Sequence, residues 1–468
     1  MQGSVWGSLF CTSTMDKLGQ FVYENENLLY KYKGLVDVPN LCMVDDILSI
    51  QKCSDSGRIN GVINSFIEMK KLKLSEPKCS RIHVGKVTHP CLELKVHGEP
   101  MKDSNQEKYL GDLLDKSGSI KPTIADRVSK GYGILTEIKA ILEEIPLGKY
   151  KLEIGLKLRQ AMLLNGLLYN SEAWHSLTLK DITELEKIDE ALLRYLLGCH
   201  SKTPLEFLFL ESGSIPIRYV ISSRRINYLR TILRRDEEEL TRRVFEAQIA
   251  NPCTGDFAEL VKHDLESIGL GYDPSLIRNT DEEVFKKLIK KKITAAAFSY
   301  LSGLQNTHSK VRDIVYDRLE IQPYLVSTMF TNQETTLLSS LRSRTHDAFK
   351  KNFSQMYGGH VQCPIKCSDP DEPEWLDSQE HLLQCIKIKE HFHSTDVASH
   401  SVKYSDILGN NVKKLKELAT IFTTLLEIKK ELSEKEEPGI LDPCIGNNNQ
   451  CNGDAIFTPV FHCMSIGK

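Results

Sequence analysis

Two constellations in this chain have the residue types and spacing for chemistry. The first is Asp45-Asp46, set between the apolar runs Leu41-Cys42-Met43-Val44 and Ile47-Leu48-Ser49-Ile50. Residues 38–44 and 47–51 read as strands. The two carboxylates then sit at the tip of a tight hairpin, where Asp is a favoured turn residue. Beyond making a turn, such a pair supplies hard oxygen ligands for Mg²⁺, the ion that bridges triphosphate oxygens in nucleotide chemistry. The second constellation is Cys363-x3-Cys367-x13-His381-x3-Cys385. Closely spaced cysteines followed by a His/Cys pair are the usual form of a structural Zn²⁺ site. A helix beginning near residue 377 places His381 and Cys385 on one face. Ordinary reduced cysteines with a surface histidine are the competing reading. Arg342, Arg344, Lys350 and Lys351 precede this segment. They suit phosphate contacts beside a zinc module, or else form a solvated helix face.

The elements that must position these groups change character along the chain. Residues 1–118 read as mixed α/β. Helices are expected over 5–18 and 59–72, with short β runs at 81–84, 92–96 and 109–111. From about residue 120 the texture becomes long helical patterns, at 124–145, 150–168, 179–197 and 221–250. Residues 251–279 read as a looser stretch. Further helices are expected at 281–302, 307–319, 334–356 and 405–436, and the Gly/Asn/Pro-rich tail after Pro438 reads as disordered. The fold class is therefore an α+β N-terminal region followed by a mostly α-helical body, with a small zinc-binding module near the C-terminus. The domain boundaries are 1–118, 119–250, 251–335, 336–395 and 396–468.

The 468 residues carry a formal net charge of −3, so any nucleic-acid surface must be local. Arg224, Arg225, Arg230, Arg234, Arg235, Arg242 and Arg243 form one basic stretch, interrupted by Asp236-Glu237-Glu238-Glu239. Lys286, Lys287, Lys290, Lys291 and Lys292 form a purer one. Nucleic-acid contact and a solvated surface compete for both. The odd count of 13 cysteines argues for reduced thiols over a disulfide framework. Neither a signal peptide nor a membrane span is expected, which makes cytoplasm or nucleus the expected location. Nucleophile elbows and phosphate-loop glycine patterns are absent from the sequence.

Several segments fall in a telling order. Gln2-Gly3-Ser4 heads a helix, Asp45-Asp46 follows on a hairpin, and Lys71, Lys73 and Lys78 follow a second helix. Lys108-Tyr109-Leu110-Gly111 then leads into helices, with Tyr169-Asn170-Ser171-Glu172-Ala173-Trp174 beyond. That order resembles the reverse transcriptases of non-long-terminal-repeat (LINE-like) retrotransposons, over roughly residues 1–435. The resemblance implies a partial polymerase palm over 1–118, a thumb and connector over 119–250, a helical linker over 251–335, and a Cys-Cys-His-Cys segment. It implies RNA-templated DNA synthesis with Mg²⁺ and deoxynucleoside triphosphates, and RNA and DNA as partners. Asp45 and Asp46 would hold the metal, and Lys78 would be the proton donor. Gln2, Gly3 and Ser4 would lie on the template–nucleotide track, and Tyr109, Leu110 and Gly111 under the primer.

The departures set a second expectation. Met43 stands where the family prefers Phe or Tyr, and Gly7-Ser8 where it commonly has Ser-Pro. The fingers and the first catalytic strand, with its further Asp, would precede the segments present here. Neither Asp16 nor Asp37 is placed to substitute. The chain is therefore expected to be inactive alone. A non-enzymatic nucleic-acid-binding remnant and a decayed reading frame are the alternatives.

Overall fold

The computed structural model describes residues 5–24, 29–38, 40–43, 46–85, 93–144, 150–349, 363–365, 378–385, 387–388, 391 and 403–436. It is mostly helical, with a few small strands.

In the N-terminal region, α1 (Val5–Tyr23) and α2 (Ser56–Met69) pack together. Apolar residues recur at helical spacing on each, so Met15, Leu18 and Val22 meet Ile59, Ile63, Phe66 and Ile67 in one small core. Around it lie β1 (Tyr30–Tyr32), β2 (Val36–Val38), β3 (Leu41–Met43), β4 (Asp46–Leu48) and β5 (Ser80–Ile82). Then come β6 (Lys95–Val96), β7 (Glu99–Pro100), β8 (Lys102–Ser104), β9 (Gln106–Tyr109) and β10 (Asp112–Asp115). Among the described residues these form five separate two-stranded ladders and no larger sheet. Four are antiparallel, and β5 pairs with β8 in parallel.

The body begins at α3 (Lys121–Glu144) and α4 (Lys151–Leu158). The expected single helix over 150–168 is interrupted by a π-helical turn, Arg159–Leu164, before α5 (Asn165–Leu167). The wider turn presents Arg159 to the interior. There it donates to Asp189 Oδ1 and Oδ2 at 2.6 Å each and to the Ile215 carbonyl at 3.0 Å. Asp189 comes from α6 (Leu179–Leu197), which opens on a Thr178/Asp181 capping box and closes on Gly198 at φ +63°. The central core joins α3, α6, α7 (Leu205–Ser212) and Trp174.

The expected long helix over 221–250 is two helices, α8 (Ile217–Arg234) and α9 (Leu240–Ala250). The loose stretch before residue 280 holds α10 (Phe257–Ser267) and α11 (Pro274–Asn279). Together with α12 (Glu282–Thr307) they enclose a second core around Leu229, Phe245, Val261 and Phe285. Residues 308–319 form turns, not the expected helix. Gln305 explains why: its side-chain amide donates to the Val311 and Ile314 carbonyls at 2.9 and 2.6 Å, giving them partners without a helix. After α13 (Pro323–Val326), α14 (Asn332–Arg342) ends earlier than the expected 334–356. A third core unites α14, a short α15 (Gln379–Leu382) and the C-terminal α16 (Val412–Glu436). Among the described residues no helix is long and apolar enough to cross a membrane.

Candidate functional site

Cys363, His381 and Cys385 converge. One ligand atom from each lies within 4.8 Å of the others, and all three residues are buried. Ser378 builds this geometry from the sequence upward. Its hydroxyl caps α15 by accepting from the His381 N–H at 3.1 Å, and the Cys385 N–H then bonds the His381 carbonyl at 2.8 Å. His381 and Cys385 thereby share one side of the turn. Ile365, Leu382 and Ile388 pack around them. Two thiols and an imidazole are borderline-soft donors, and a tetrahedral Zn²⁺ would separate such atoms by roughly 3.5 Å. The residues fit a metal ion of that type with small adjustment. Cys367, the expected fourth ligand, lies outside the described residues, as do Lys350 and Lys351.

Arg342, the first residue of the basic segment ahead of this group, does not form a phosphate surface. Arg342 is wholly buried and ion-paired with Glu211 on α7 at 2.5 Å. It also donates to the Ile407 and Gly409 carbonyls at 2.5 and 2.8 Å, and its guanidinium lies 5.5 Å from the centre of the Tyr324 ring. Burial pushes the Glu211 carboxyl up, and the Arg342 guanidinium beside it opposes that rise. This corrects the expectation of phosphate contact for Arg342, because a guanidinium sealed from water and bonded to Glu211, Ile407, Gly409 and Asn410 has nothing left to offer a strand. Arg344, at φ +52°, is turned toward Glu380 at 3.3 Å and Asp313 at 3.7 Å. Gln379 donates to the Leu341 carbonyl at 2.8 Å. The segment 341–345 therefore docks α15 onto the helical body.

The second candidate site is the Asp-Asp hairpin and its neighbours. β3 and β4 pair as a hairpin as expected, but Asp46, expected at the tip, lies in β4 opposite Met43. Asp46 is exposed, whereas Asp45, like Gln2, Gly3 and Ser4, lies outside the described residues. Cys363, His381 and Cys385 form the one metal-capable group of three found among the described residues. Asp46 belongs to no such group among the described residues, and its neighbour Asp45 lies outside them. Lys78 is exposed on the 3₁₀ turn Glu76–Lys78.

Tyr109, Leu110 and Gly111 are better placed. The Tyr109 hydroxyl lies 3.5 Å from the Leu41 carbonyl on β3, and burial, with Cys42 and Asp46 nearby, raises its pKa. Leu110 and Gly111 form the two-residue turn between β9 and β10, with φ of +47° and +93°. Positive φ at both positions marks the tight hairpin turn that glycine suits and leucine does not. Two side chains from the body hold it. Asn170 donates to the Leu110 carbonyl at 3.2 Å and to Asp112 at 3.1 Å. Arg127 donates to the Gly111 carbonyl at 3.0 Å and to Asp112 at 2.8 Å, with its guanidinium 5.0 Å from the centre of the Tyr169 ring. A methyl group on Gly111 would come within 2.9 Å of that ring. The turn borders an open cleft of about 370 Å³, where Lys108, Leu110, Lys130 and Tyr169 stand beside Asn165.

Arg127 was missed by motif reading, although a signal exists. It falls on the stripe Ile124, Gly131, Leu135, Ile138 and Leu142, the buried face of α3, and a charge on such a stripe needs a partner. No protein-family model, curated protein or solved structure matches this chain. Of the described cysteines, Cys53 is disulfide-bonded, unlike the expected reduced thiols, while Cys42, Cys79, Cys199, Cys253, Cys363 and Cys385 are not in disulfides.

Proposed function

We propose that this chain is a reverse-transcriptase-like protein of the non-long-terminal-repeat retrotransposon kind. In this reading it holds RNA and DNA strands, and its residues do not polymerise deoxynucleotides unaided. One observation carries the proposal. Segments far apart in the chain meet at the Leu110-Gly111 turn: α3 through Arg127, and the Tyr169-Asn170 segment, while Tyr109 beside the turn reaches β3 of the Asp-Asp hairpin. The resemblance drew on the Lys108–Gly111 turn and the Tyr169 segment, and both line one cleft, as a shared strand-binding role requires. Exposed Tyr169 offers a face on which a base can stack, and Lys108 and Lys130 offer charge for phosphates.

The second reading is strand binding with no part in polymerisation, for which the cleft beside Gly111 would suffice. For Cys363, His381 and Cys385, with Cys367 as fourth ligand, we propose Zn²⁺ in a structural role. The ion would tie Cys363 to His381 on α15 and to Cys385 beyond it.

Purified chain, an RNA template with an annealed DNA primer, Mg²⁺ and deoxynucleotides test both readings. The expected result is binding without extension, weakened about 10-fold by Tyr169→Ala, as loss of one stacked base of ~1–3 kcal/mol implies. One equivalent of zinc is expected, and its loss in Cys385→Ser. Primer extension abolished by Asp45→Ala would overturn the inactive assignment. Binding indifferent to Tyr169→Ala would overturn the site, and zinc near zero the metal.

A further inference from the structure

We infer that a second cleft, between the C-terminal end of α8 and the first turns of α12, grips the phosphodiester backbone of a nucleic-acid strand. The cleft measures about 560 Å³, and its ionic lining is Arg230, Arg234, Arg235 and Lys286 against Glu239 and Glu282. Four cations face two carboxylates. Arg235 takes Glu239 at 2.7 Å and Lys286 takes Glu282 at 2.6 Å. Arg230 is buried in the wall, donating to the Thr280 carbonyl at 2.7 Å, 5.6 Å from the centre of the Phe285 ring and 3.8 Å from Glu282. Arg234 is exposed and, among the described residues, makes no hydrogen bond or ion pair.

A helix C-terminus favours nearby cations, so the end of α8 accounts for part of this charge. Its macrodipole is worth only about half a negative charge, and Glu283 also lies 3.8 Å from Lys286, which leaves the unpaired Arg234 as the cation the concave site offers. The ligand is therefore an anion.

The surroundings choose a strand over a small anion. Lys290 stands one turn beyond Lys286 on α12, about 6 Å along the axis at 1.5 Å per residue. Lys287 and Lys291 lie beside them, and Lys287, Lys290 and Lys291 are exposed with no ion pair among the described residues. Charge thus continues out of the cleft along α12, which a free phosphate would not use and a polymer of phosphates would. The helices that set this geometry are fixed from beneath: Arg225 on α8 pairs with the buried Asp264 of α10 at 3.0 Å, and Ser222 bonds the same carboxylate at 2.6 Å. The choice of nucleic acid rests on the functional reading above, but this cleft shares no residue with the one beside Gly111.

The test is fluorescence anisotropy of the full chain with a fluorescein-labelled 20-nucleotide single-stranded RNA over 50–300 mM KCl. Arg234→Gln/Lys286→Gln/Lys290→Gln is expected to weaken binding at least 10-fold at the low end of salt. It should make the log–log salt slope shallower by about 2, at roughly 0.7 per phosphate contact on a single strand. Lys157→Gln/Lys180→Gln/Lys187→Gln removes the same net charge from α4 and α6 and is expected to stay within twofold of the parent. All six side chains are exposed or half-buried on helix surfaces, and circular dichroism checks that both variants fold. Equal losses in the two triples, or no loss in the first, would overturn the inference. Displacement of the RNA by micromolar tripolyphosphate in the parent but not in the first triple would make the cleft a small-anion site and overturn the strand assignment. A chain insensitive to Tyr169→Ala but sensitive to the first triple would fail the functional site while leaving this one standing.

Discussion

The N-terminal region and the helical body are stabilised by different means. In the body, charges are spent inside: Arg159–Asp189, Arg225–Asp264 and Arg342–Glu211 are buried pairs joining elements far apart in sequence. In the N-terminal region the ion pairs Lys31–Asp37, Arg81–Asp103 and Lys95–Glu93 lie at the surface. There, among the described residues, each strand pairs with a single partner. A buried pair fixes which elements meet, because removing one partner strands a charge away from water. Two-stranded ladders fix only local register, since a single hairpin is marginal by itself. The body thus specifies its own arrangement, whereas the N-terminal region depends on one small α1–α2 core and on what it rests against. One such support is Lys33, which reaches Asp256 at 2.6 Å and Cys253 at 3.0 Å in the α9–α10 loop.

Three substitutions sharpen this contrast. Glu211→Ala should cost the body about 3–5 kcal/mol, because it leaves the Arg342 guanidinium buried without its carboxylate. Urea denaturation followed by circular dichroism measures this, and a cost under ~1 kcal/mol would break the claim that buried pairs hold the body. Ile67→Ala, in the α1–α2 core, should cost toward the lower end of about 2–5 kcal/mol. Its effect should be confined to the N-terminal region. Hydrogen exchange of peptides spanning 41–48 and 95–115 should quicken while 185–197 is unchanged, and equal quickening in both would show that the two regions unfold as one unit. Arg81→Met should cost no more than ~1 kcal/mol despite the well-aligned contact with Asp103, since Asp103 is largely exposed and its pair is screened by water. A larger loss would mean that the N-terminal ladders are also held by charge.

Much of the helical framework was legible in the sequence, and the exceptions share a cause. Helix α6 matches its expected span of 179–197, since its apolar spacing, cap and terminal glycine agree. The break between α8 and α9 was overlooked. Asp236-Glu237-Glu238-Glu239 follows the C-terminal end of α8, where negative charge opposes the macrodipole, and Arg235 leaves helical backbone there. The metal-capable group was readable because its ligands are close in sequence. Arg342 was misread because the partner that buries it, Glu211, is 131 residues away. Arg127 and Asn170 secure a turn whose geometry depends on residues 15 to 60 positions distant. Spacing reveals what a helix or a ligand loop arranges locally, while buried polar contacts across the fold leave only the indirect trace of a charge on an apolar stripe.

The π-helical turn at Arg159–Leu164 has a genetic consequence. Such a turn contains one residue more than a regular helical turn, so it marks a place where chain length is negotiable. Losing one codon there would let α4 and α5 run on as a continuous helix. Losing one from the middle of α6 would rotate every later core residue by about 100°, off the face it must bury. The relaxed version would surrender the aim of Arg159 at Asp189. The extra residue is thus the length cost of one buried ion pair, and it sets where insertions and deletions in this chain can be absorbed.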